Sequence, residues 1–114
     1  MKYLLLIYDE EKRWTALSPE EQGAEGQGFA VFGKDFAHAI QGGNALQPTP
    51  TAKTVRVRNG KPMVIDGPFA ETKEQLGGYY LVEAKDINEA AKIAGNIPWA
   101  RSGSIEVRPI MVFE

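Results

Sequence analysis

A run of six apolar residues near the start of the chain limits the folds that it can adopt. Residues 3–8 read YLLLIY, so both faces of a strand formed there would be apolar. Such a pattern is typical of a central strand that is covered on both faces. The run is too short for the core of a signal peptide or for a membrane span. We therefore predict a buried central strand at residues 2–8 of a cytoplasmic protein.

The composition favours one folded domain and excludes several kinds of site. The 114 residues fit a single domain, and 43% hydrophobic with 25% charged residues is ordinary for a globular protein. The chain has no cysteine and one histidine, which excludes disulfides, thiolate metal sites and a three-histidine metal site within one chain. The net charge is −2 and the cations are scattered, so we predict no nucleic-acid partner. We also predict no metal and no cofactor.

A capping box marks the start of the first long helix. Ser18 is a favourable N-cap, Pro19 suits the first helical position, and Glu21 stands three residues after Ser18. We predict that this helix continues to about Gln41 and ends at the glycine pair at residues 42–43. Four apolar side chains then share one face of it, namely Phe29, Phe32, Phe36 and Ile40.

Further along the chain the pattern predicts a hairpin, a loop and three more elements. The hairpin pairs residues 53–58 with residues 63–65 across Asn59-Gly60, a strong two-residue turn signal. A sharp break at residues 66–68 follows, and residues 71–76 are predicted to form one helical turn. The remaining elements are a strand at residues 79–83, a helix from its N-cap Asp86 to Gly95, and a strand at residues 104–113.

With the hairpin set aside, we interpret the order as βαββαβ, the ferredoxin-like plan of an α+β protein. Helices cover only one face of such a sheet, so its other face needs a partner. The apolar positions on the first and last strands provide a surface for one. We therefore predict a homodimer in which two sheets pack face to face.

Four segments of the chain resemble the YCII-related family, and specifically its DGPF branch. They read KYLLLIY at residues 2–8, LSPEE at residues 17–21, DGPFAETKEQLGGYYLV at residues 66–82 and SIEVRP at residues 104–109. The resemblance implies a single YCII-related domain over residues 1–114 and a dimeric α+β barrel. Because members of the branch occur beside or fused to alternative sigma factors, it also implies a transcription-factor partner for a regulatory module. Enzymatic activity is suspected in the wider family, where many members carry a paired histidine and aspartate.

Residues 66–78 are the predicted wall of a small-molecule pocket. Asp66 matches the family aspartate, and a carboxylate at the end of a strand can act as a general base. The alternative is that Asp66 only caps the turn before Gly67-Pro68 by binding backbone amides.

Five other residues are candidates for binding the substrate. Phe69 and Tyr79 are predicted apolar walls, although Phe69 can equally plug the barrel and Tyr79 can pack in the core. Lys73 is a candidate for holding an anionic substrate, and Glu74 for pairing with Lys73 or exchanging protons. Gly78 would let backbone approach a ligand, or form a bulge with its glycine neighbour. A charged turn is also often simply solvated, and exposed ion pairs contribute little.

The histidine half of the family pair is missing at its expected place. His38 is predicted to point away from the apolar helix face, and Phe32 occupies the region where the family histidine lies. Trp14 and Trp99 are predicted to pack in the core or at a dimer edge. Three functions stay open: cofactor-independent acid–base chemistry on a small organic anion, ligand sensing linked to sigma-factor-dependent transcription, or a loop that only completes the barrel.

Overall fold

The computed structural model describes residues 1–113, which form six strands and three helices. The strands are β1 (Lys2–Asp9), β2 (Ile40–Ala45), β3 (Lys53–Arg58), β4 (Lys61–Asp66), β5 (Gln75–Glu83) and β6 (Ser104–Pro109). The helices are α1 (Glu11–Ala16), α2 (Pro19–Asp35) and α3 (Ile87–Ala94), and 3-10 turns lie at Thr49–Thr51 and Pro98–Ala100. None of these helices is long and apolar enough to cross a membrane.

Four strands form one antiparallel sheet in the order β2-β5-β1-β6. The β1 strand lies between β5 and β6, and its Leu5 is opposite Tyr80 on one side and Val107 on the other. The long apolar run therefore forms a central strand, as predicted. With α1 and the β3–β4 hairpin set aside, the order is βαββαβ, which confirms the ferredoxin-like α+β plan.

The strand that completes this plan was not predicted. Helix α2 ends at Asp35, and residues 40–45 form β2, so the prediction of a helix to Gln41 was wrong. The chain leaves the helix at Phe36 and then pairs with β5. Gly43 permits this pairing, since a Cβ there would lie 2.5 Å from the Tyr79 carbonyl oxygen. Pairing with β5 thus overrides the apolar spacing that favoured a longer helix.

Two further boundaries differ from prediction because of the pairing available to β1, and one helix was not predicted. Residues 71–76 form no helical turn, since β5 begins at Gln75 to pair with the end of β1. The last strand ends at Pro109 rather than at residue 113, because β1 begins at Lys2 and offers no longer partner. The polar stretch after β1 folds into α1.

Both predicted helix caps are present. The Glu21 amide donates to Ser18 Oγ at 3.1 Å, and the Ser18 amide donates to Glu21 Oε1 at 2.9 Å. At α3, the Glu89 amide donates to Asp86 Oδ1 at 2.8 Å. These bonds satisfy amide groups that would otherwise have no partner in the first turn of each helix.

The core lies between the helices and one face of the sheet. Along β1 the residues at odd positions are buried, whereas Leu4, Leu6 and Tyr8 at even positions are half-exposed. Phe32 is the buried residue of the predicted apolar helix face, and its predicted neighbours pack around the core with partial exposure. Within one chain, the second face of the sheet is therefore uncovered.

The β3–β4 hairpin forms a separate two-stranded sheet. Its turn has positive φ at Asn59 (53°) and Gly60 (74°), as the predicted two-residue turn requires. Its apolar side chains stay exposed, for example Val55 at 63% and Val64 at 61%. The radius of gyration is 16.1 Å, against about 13 Å for a compact chain of this length. The molecule is accordingly flat, with extents of 48 × 47 × 19 Å.

Candidate functional site

A cavity of about 470 Å³ lies on the helix-covered side of the sheet. Its walls come from α1, α2, the Pro98–Ala100 turn, the start of β5, and the end of β2 with the loop that follows it. This volume falls within the range typical of small-molecule pockets, and the wall is mainly apolar, as in most such pockets.

Aromatic rings form one wall of the cavity. The ring centroids of Trp14 and Trp99 are 5.7 Å apart, and Phe29 meets Trp99 edge to face at the same distance. Tyr80 contributes another ring from β5. Rings at these separations pack favourably, and a planar ligand can stack on or meet the edges of such a wall.

A bulge in β5 lets the wall approach the sheet. The register between β1 and β5 shifts after Ile7, so Gly77 is an extra residue between the paired Leu76 and Gly78. A Cβ on Gly77 would lie 2.9 Å from a ring carbon of Trp99. The absence of a side chain at Gly77 therefore allows Trp99 to lie against the strand.

Few polar groups face the cavity. Glu11 is the only charged side chain among its lining residues within the described part of the chain. Its carboxylate accepts a hydrogen bond from the Thr49 amide at 3.0 Å and another from the Thr49 hydroxyl. Asn44 Nδ2 also donates to the Tyr79 hydroxyl at 2.9 Å, but these two side chains are in register with Leu6 on the face of the sheet that the helices leave uncovered. A ligand would therefore meet one carboxylate in a largely apolar chamber.

An ionic network behind the wall holds Trp99 in place. Arg13 makes two hydrogen bonds to Glu25, at 2.7 and 2.9 Å, and its Nε donates to buried Asp9 at 3.0 Å. The Trp99 Nε1–H donates to Glu25 at 2.8 Å, and the Ser102 hydroxyl donates to Asp9 at 2.6 Å. The Arg13 guanidinium also lies 5.7 Å from the Trp99 ring centroid. The network thus joins β1, α1, α2 and the Pro98–Ala100 turn that carries Trp99.

The charges of this network stabilise one another. Hydrogen bonds from Arg13, and then from Trp99, lower the pKa of Glu25 below its usual value despite partial burial. The hydrogen bond to Glu25 is in turn the largest cause that raises the pKa of Arg13. Burial raises the pKa of Tyr80 at the cavity wall. Glu25 and Arg13 are therefore both charged at neutral pH and form an ion pair. The Glu25 carboxylate of this pair accepts the indole N–H of Trp99.

The structure places only two of the six predicted site residues at the cavity. Gly78 is buried and Tyr79 half-buried, and both line the cavity. Asp66 is 86% exposed at the end of β4, where it pairs with Lys53 at 2.6 Å. Phe69 is 78% exposed. These two residues lie in the hairpin and the loop after it, outside the cavity lining.

The charged candidates also lie outside the cavity lining. Lys73 is 87% exposed, and its nearest carboxylate is that of Glu10 at 4.0 Å. Glu74 accepts a hydrogen bond from the Ser104 hydroxyl at 2.8 Å. His38 is exposed, as predicted, although it lies beyond the end of α2 rather than on the helix. Among the described residues, no backbone amide donates to the Asp66 carboxylate, so the bond expected of a turn cap is not formed.

Most of the cavity wall was not predicted from the sequence. Glu11 and Arg13 belonged to a stretch treated only as polar, although residues that follow a central strand often carry function. Trp14 and Trp99 do pack together, but their packing forms the cavity wall. Nothing in the sequence pattern indicates that these distant tryptophans meet. Within residues 1–113, no three side chains of ligand type lie together as a metal ion would need.

Comparison with known proteins gives a family match over the whole chain. The model of the YCII-related domain matches residues 1–114. An uncharacterised protein of Rhizobium meliloti (strain 1021) is 36% identical over 118 residues, covering 100% of this chain and 95% of the relative.

A solved structure shares the fold. It is the 5-chloro-2-hydroxyhydroquinone dehydrochlorinase (TftG) of Burkholderia phenoliruptrix AC1100, in complex with 2,5-dihydroxybenzoquinone. The TM-score is 0.60 at 13% identity, over 97% of this chain and 94% of that one. At this identity the likeness concerns the fold.

Proposed function

The chain belongs to the YCII-related family, and we propose that it binds a small organic molecule with a planar ring in the cavity beside α1 and α2. The observation that carries this proposal is the wall of Trp14, Phe29, Tyr80 and Trp99 around a chamber of about 470 Å³. Such rings provide a large apolar contact area and little specificity of their own, so the few polar groups would select the ligand.

The ligand of the fold relative is compatible with this proposal. The dehydrochlorinase was solved with 2,5-dihydroxybenzoquinone, a planar ring compound. A ring of that size is smaller than the cavity described here. The likeness supports a ring-binding role and leaves the reaction of this chain open.

The acid–base proposal for Asp66 needs a further step. Its carboxylate is 86% exposed and lies outside the cavity lining. Asp66 could act on a ligand in the cavity only if a second subunit or a rearrangement of the hairpin brought the two together. In this version Asp66 is the base, as proposed from the sequence.

One observation favours the second candidate, a ligand-sensing or regulatory module. The single histidine of the chain, His38, is exposed and does not line the cavity, so a histidine–carboxylate pair is missing there. A chamber with one carboxylate and aromatic walls suits reversible binding more than proton exchange. The proposed link to sigma-factor-dependent transcription would then be the output of binding.

We also propose that the chain acts as a homodimer. Helices cover one face of the sheet, and the other presents Leu4, Leu6 and Tyr8 from β1 beside Tyr79 and Leu81 from β5. These side chains are only half-buried within one chain. Packing of two such faces would remove this apolar surface from water.

A thermal-shift screen of small organic compounds tests ring binding in the cavity. Ala45 is exposed and lines the cavity, so Ala45→Trp should obstruct the chamber without disturbing the core. We expect ring compounds to raise the melting temperature of the wild type, by about 10 °C at 100 times Kd, and to lose this effect in the variant. Equal shifts in both proteins, or none in the wild type, would contradict the proposal.

The Asp66→Ala variant separates the two candidate functions. If Asp66 is a base, wild-type protein should convert one of the bound compounds, and the variant should bind it with equal affinity but lose at least 100-fold in turnover. Lys53→Ala serves as the control, since it breaks the same exposed ion pair and leaves the carboxylate. Compounds that bind without any conversion would refute the enzyme version and leave the sensor.

A further inference from the structure

The charge of the cavity points to the chemistry of its ligand. Glu11 places a carboxylate in a wall whose other lining residues are uncharged. No lysine or arginine forms an ion pair with Glu11 within residues 1–113. The negative charge at the cavity is therefore not neutralised by a neighbour.

Contacts with Thr49 fix this carboxylate and leave it capacity to bind a ligand. Its two oxygens accept one hydrogen bond from the Thr49 amide and one from the Thr49 hydroxyl. A carboxylate has about four acceptor positions, so two stay free. The backbone of Glu11 is held as well, because its amide donates to Gln75 Oε1 at 2.9 Å. The carboxylate is thus positioned before any ligand arrives.

A fixed carboxylate beside aromatic rings discriminates by charge. It strengthens hydrogen bonds from hydroxyl and amino groups and repels other carboxylates, most strongly where apolar walls limit screening by water. Any ring face of the wall that contacts a ligand adds to this preference, since aromatic faces attract positive and repel negative charge. The cavity therefore disfavours anions, because its one charged lining residue is a carboxylate.

We propose that Glu11 selects planar ring ligands that carry a hydrogen-bond donor, such as a phenolic hydroxyl or an aromatic amine, and excludes ring carboxylates. This inference rests on the proposed function and names the ligand class of the same cavity. It differs from the anionic ligand proposed from the sequence, which depended on Lys73. That lysine is 87% exposed and does not line the cavity.

Isothermal titration calorimetry with 2-naphthol and 2-naphthoate at pH 7 tests this inference. The two probes share one ring system and differ in carrying a donor or a negative charge. We expect the wild type to bind 2-naphthol at least 10-fold more tightly, in line with a hydrogen bond to a charged acceptor. Glu11→Gln should reduce this ratio to within about 3-fold by weakening 2-naphthol and strengthening 2-naphthoate.

The matched control is Glu10→Gln, the same substitution one residue earlier. Glu10 does not line the cavity, so its variant should keep the wild-type ratio. Tighter or equal binding of 2-naphthoate by the wild type would refute the inference and leave the proposed function intact. Parallel weakening of both probes in Glu11→Gln would also refute it, because Glu11 would then only support the loop. Failure of both probes to bind the wild type would count against the proposed function itself.

Discussion

At the scale of single residues, the ion pair of Arg13 and Glu25 determines how the cavity wall is presented. Glu25 accepts the indole N–H of Trp99, so the polar edge of that ring is directed into the network. The cavity therefore meets the apolar parts of the ring. Because the side chains of Arg13 and Glu25 are only 27% and 26% exposed, the pair is shielded more than a surface salt bridge.

Replacing Glu25 should loosen the wall and weaken the fold. Glu25→Gln keeps the shape but loses the charge opposite Arg13, and we expect it to lower the free energy of unfolding by about 1–2 kcal/mol at pH 7. Tryptophan fluorescence should also change, because the Trp99 indole loses a charged acceptor. Glu20→Gln is the control, since Glu20 is exposed on the same helix. Equal effects of the two variants would contradict the account of the network.

The same pair gives stability a pH dependence of known sign. The pKa of Glu25 is lower in the folded chain than in the unfolded one, so the unfolded chain binds more protons at acid pH. The stabilising contribution of Glu25 is present above its pKa in the unfolded chain, which is about 4.3. This contribution is lost as the pH falls through its lower pKa in the folded chain. Urea titrations should therefore show a smaller loss of stability between pH 5 and about pH 3 in Glu25→Gln than in the wild type.

At the scale of elements, local signals were predictable and pairing between distant segments was not. The capping box at Ser18 and the Asn59-Gly60 turn each depend on a few neighbouring residues, and both were predicted correctly. The β2 strand was missed because its residues IQGGNA have little strand character of their own. They form a strand because β5 supplies the hydrogen bonds.

The same reasoning explains how much of the candidate site was predictable. The segment at residues 66–78 was identified by its resemblance to a family, and only its end, with Gly78, reaches the cavity. Asp66 and Phe69 were expected in a pocket, yet the hairpin stands apart from the sheet and leaves both exposed in one chain. Side chains that are distant in sequence, such as Glu11 and Trp99, meet only through the tertiary fold.

The bulge at Gly77 yields a prediction at this scale. Gly77→Ala places a methyl group 2.9 Å from the Trp99 ring, so the ring or the strand must move. We expect a loss of about 1–3 kcal/mol in stability and weaker ligand binding. Gly26→Ala is the opposite control, because a Cβ there meets nothing within 4 Å in α2. Gly26→Ala should stabilise the protein by up to about 1 kcal/mol in chemical denaturation. If both glycine variants were destabilised, the contact between Gly77 and Trp99 would not explain the result.

At the scale of the whole molecule, the flat shape and the uncovered sheet face support the proposed homodimer. One chain leaves half-exposed apolar side chains along β1 and exposed ones on the hairpin. A second subunit on the open face would give the sheet a cover on both sides. The six consecutive apolar residues of β1, from which the central strand was predicted, would then be covered on both faces of the sheet.

Light scattering tests the assembly. We expect a mass near 25 kDa at micromolar concentration, which is twice the 12.5 kDa of the chain. Leu6→Lys places a charge on the open face and should shift the protein to monomer. Val31→Lys is the control, since Val31 is 56% exposed on α2, on the covered side of the sheet. A wild-type monomer, or a Leu6→Lys variant that stays dimeric, would contradict the proposed interface.

We propose that the aromatic cavity, rather than the loop at residues 66–74, holds the ligand. A crystal structure with the most stabilising ring compound from the screen tests it most directly. We predict the ring between α1 and the start of β5, with its centroid about 4.5–7 Å from the ring centroids of Trp14 or Trp99. A compound bound instead against Asp66 and Lys73, with the cavity empty, would contradict the account.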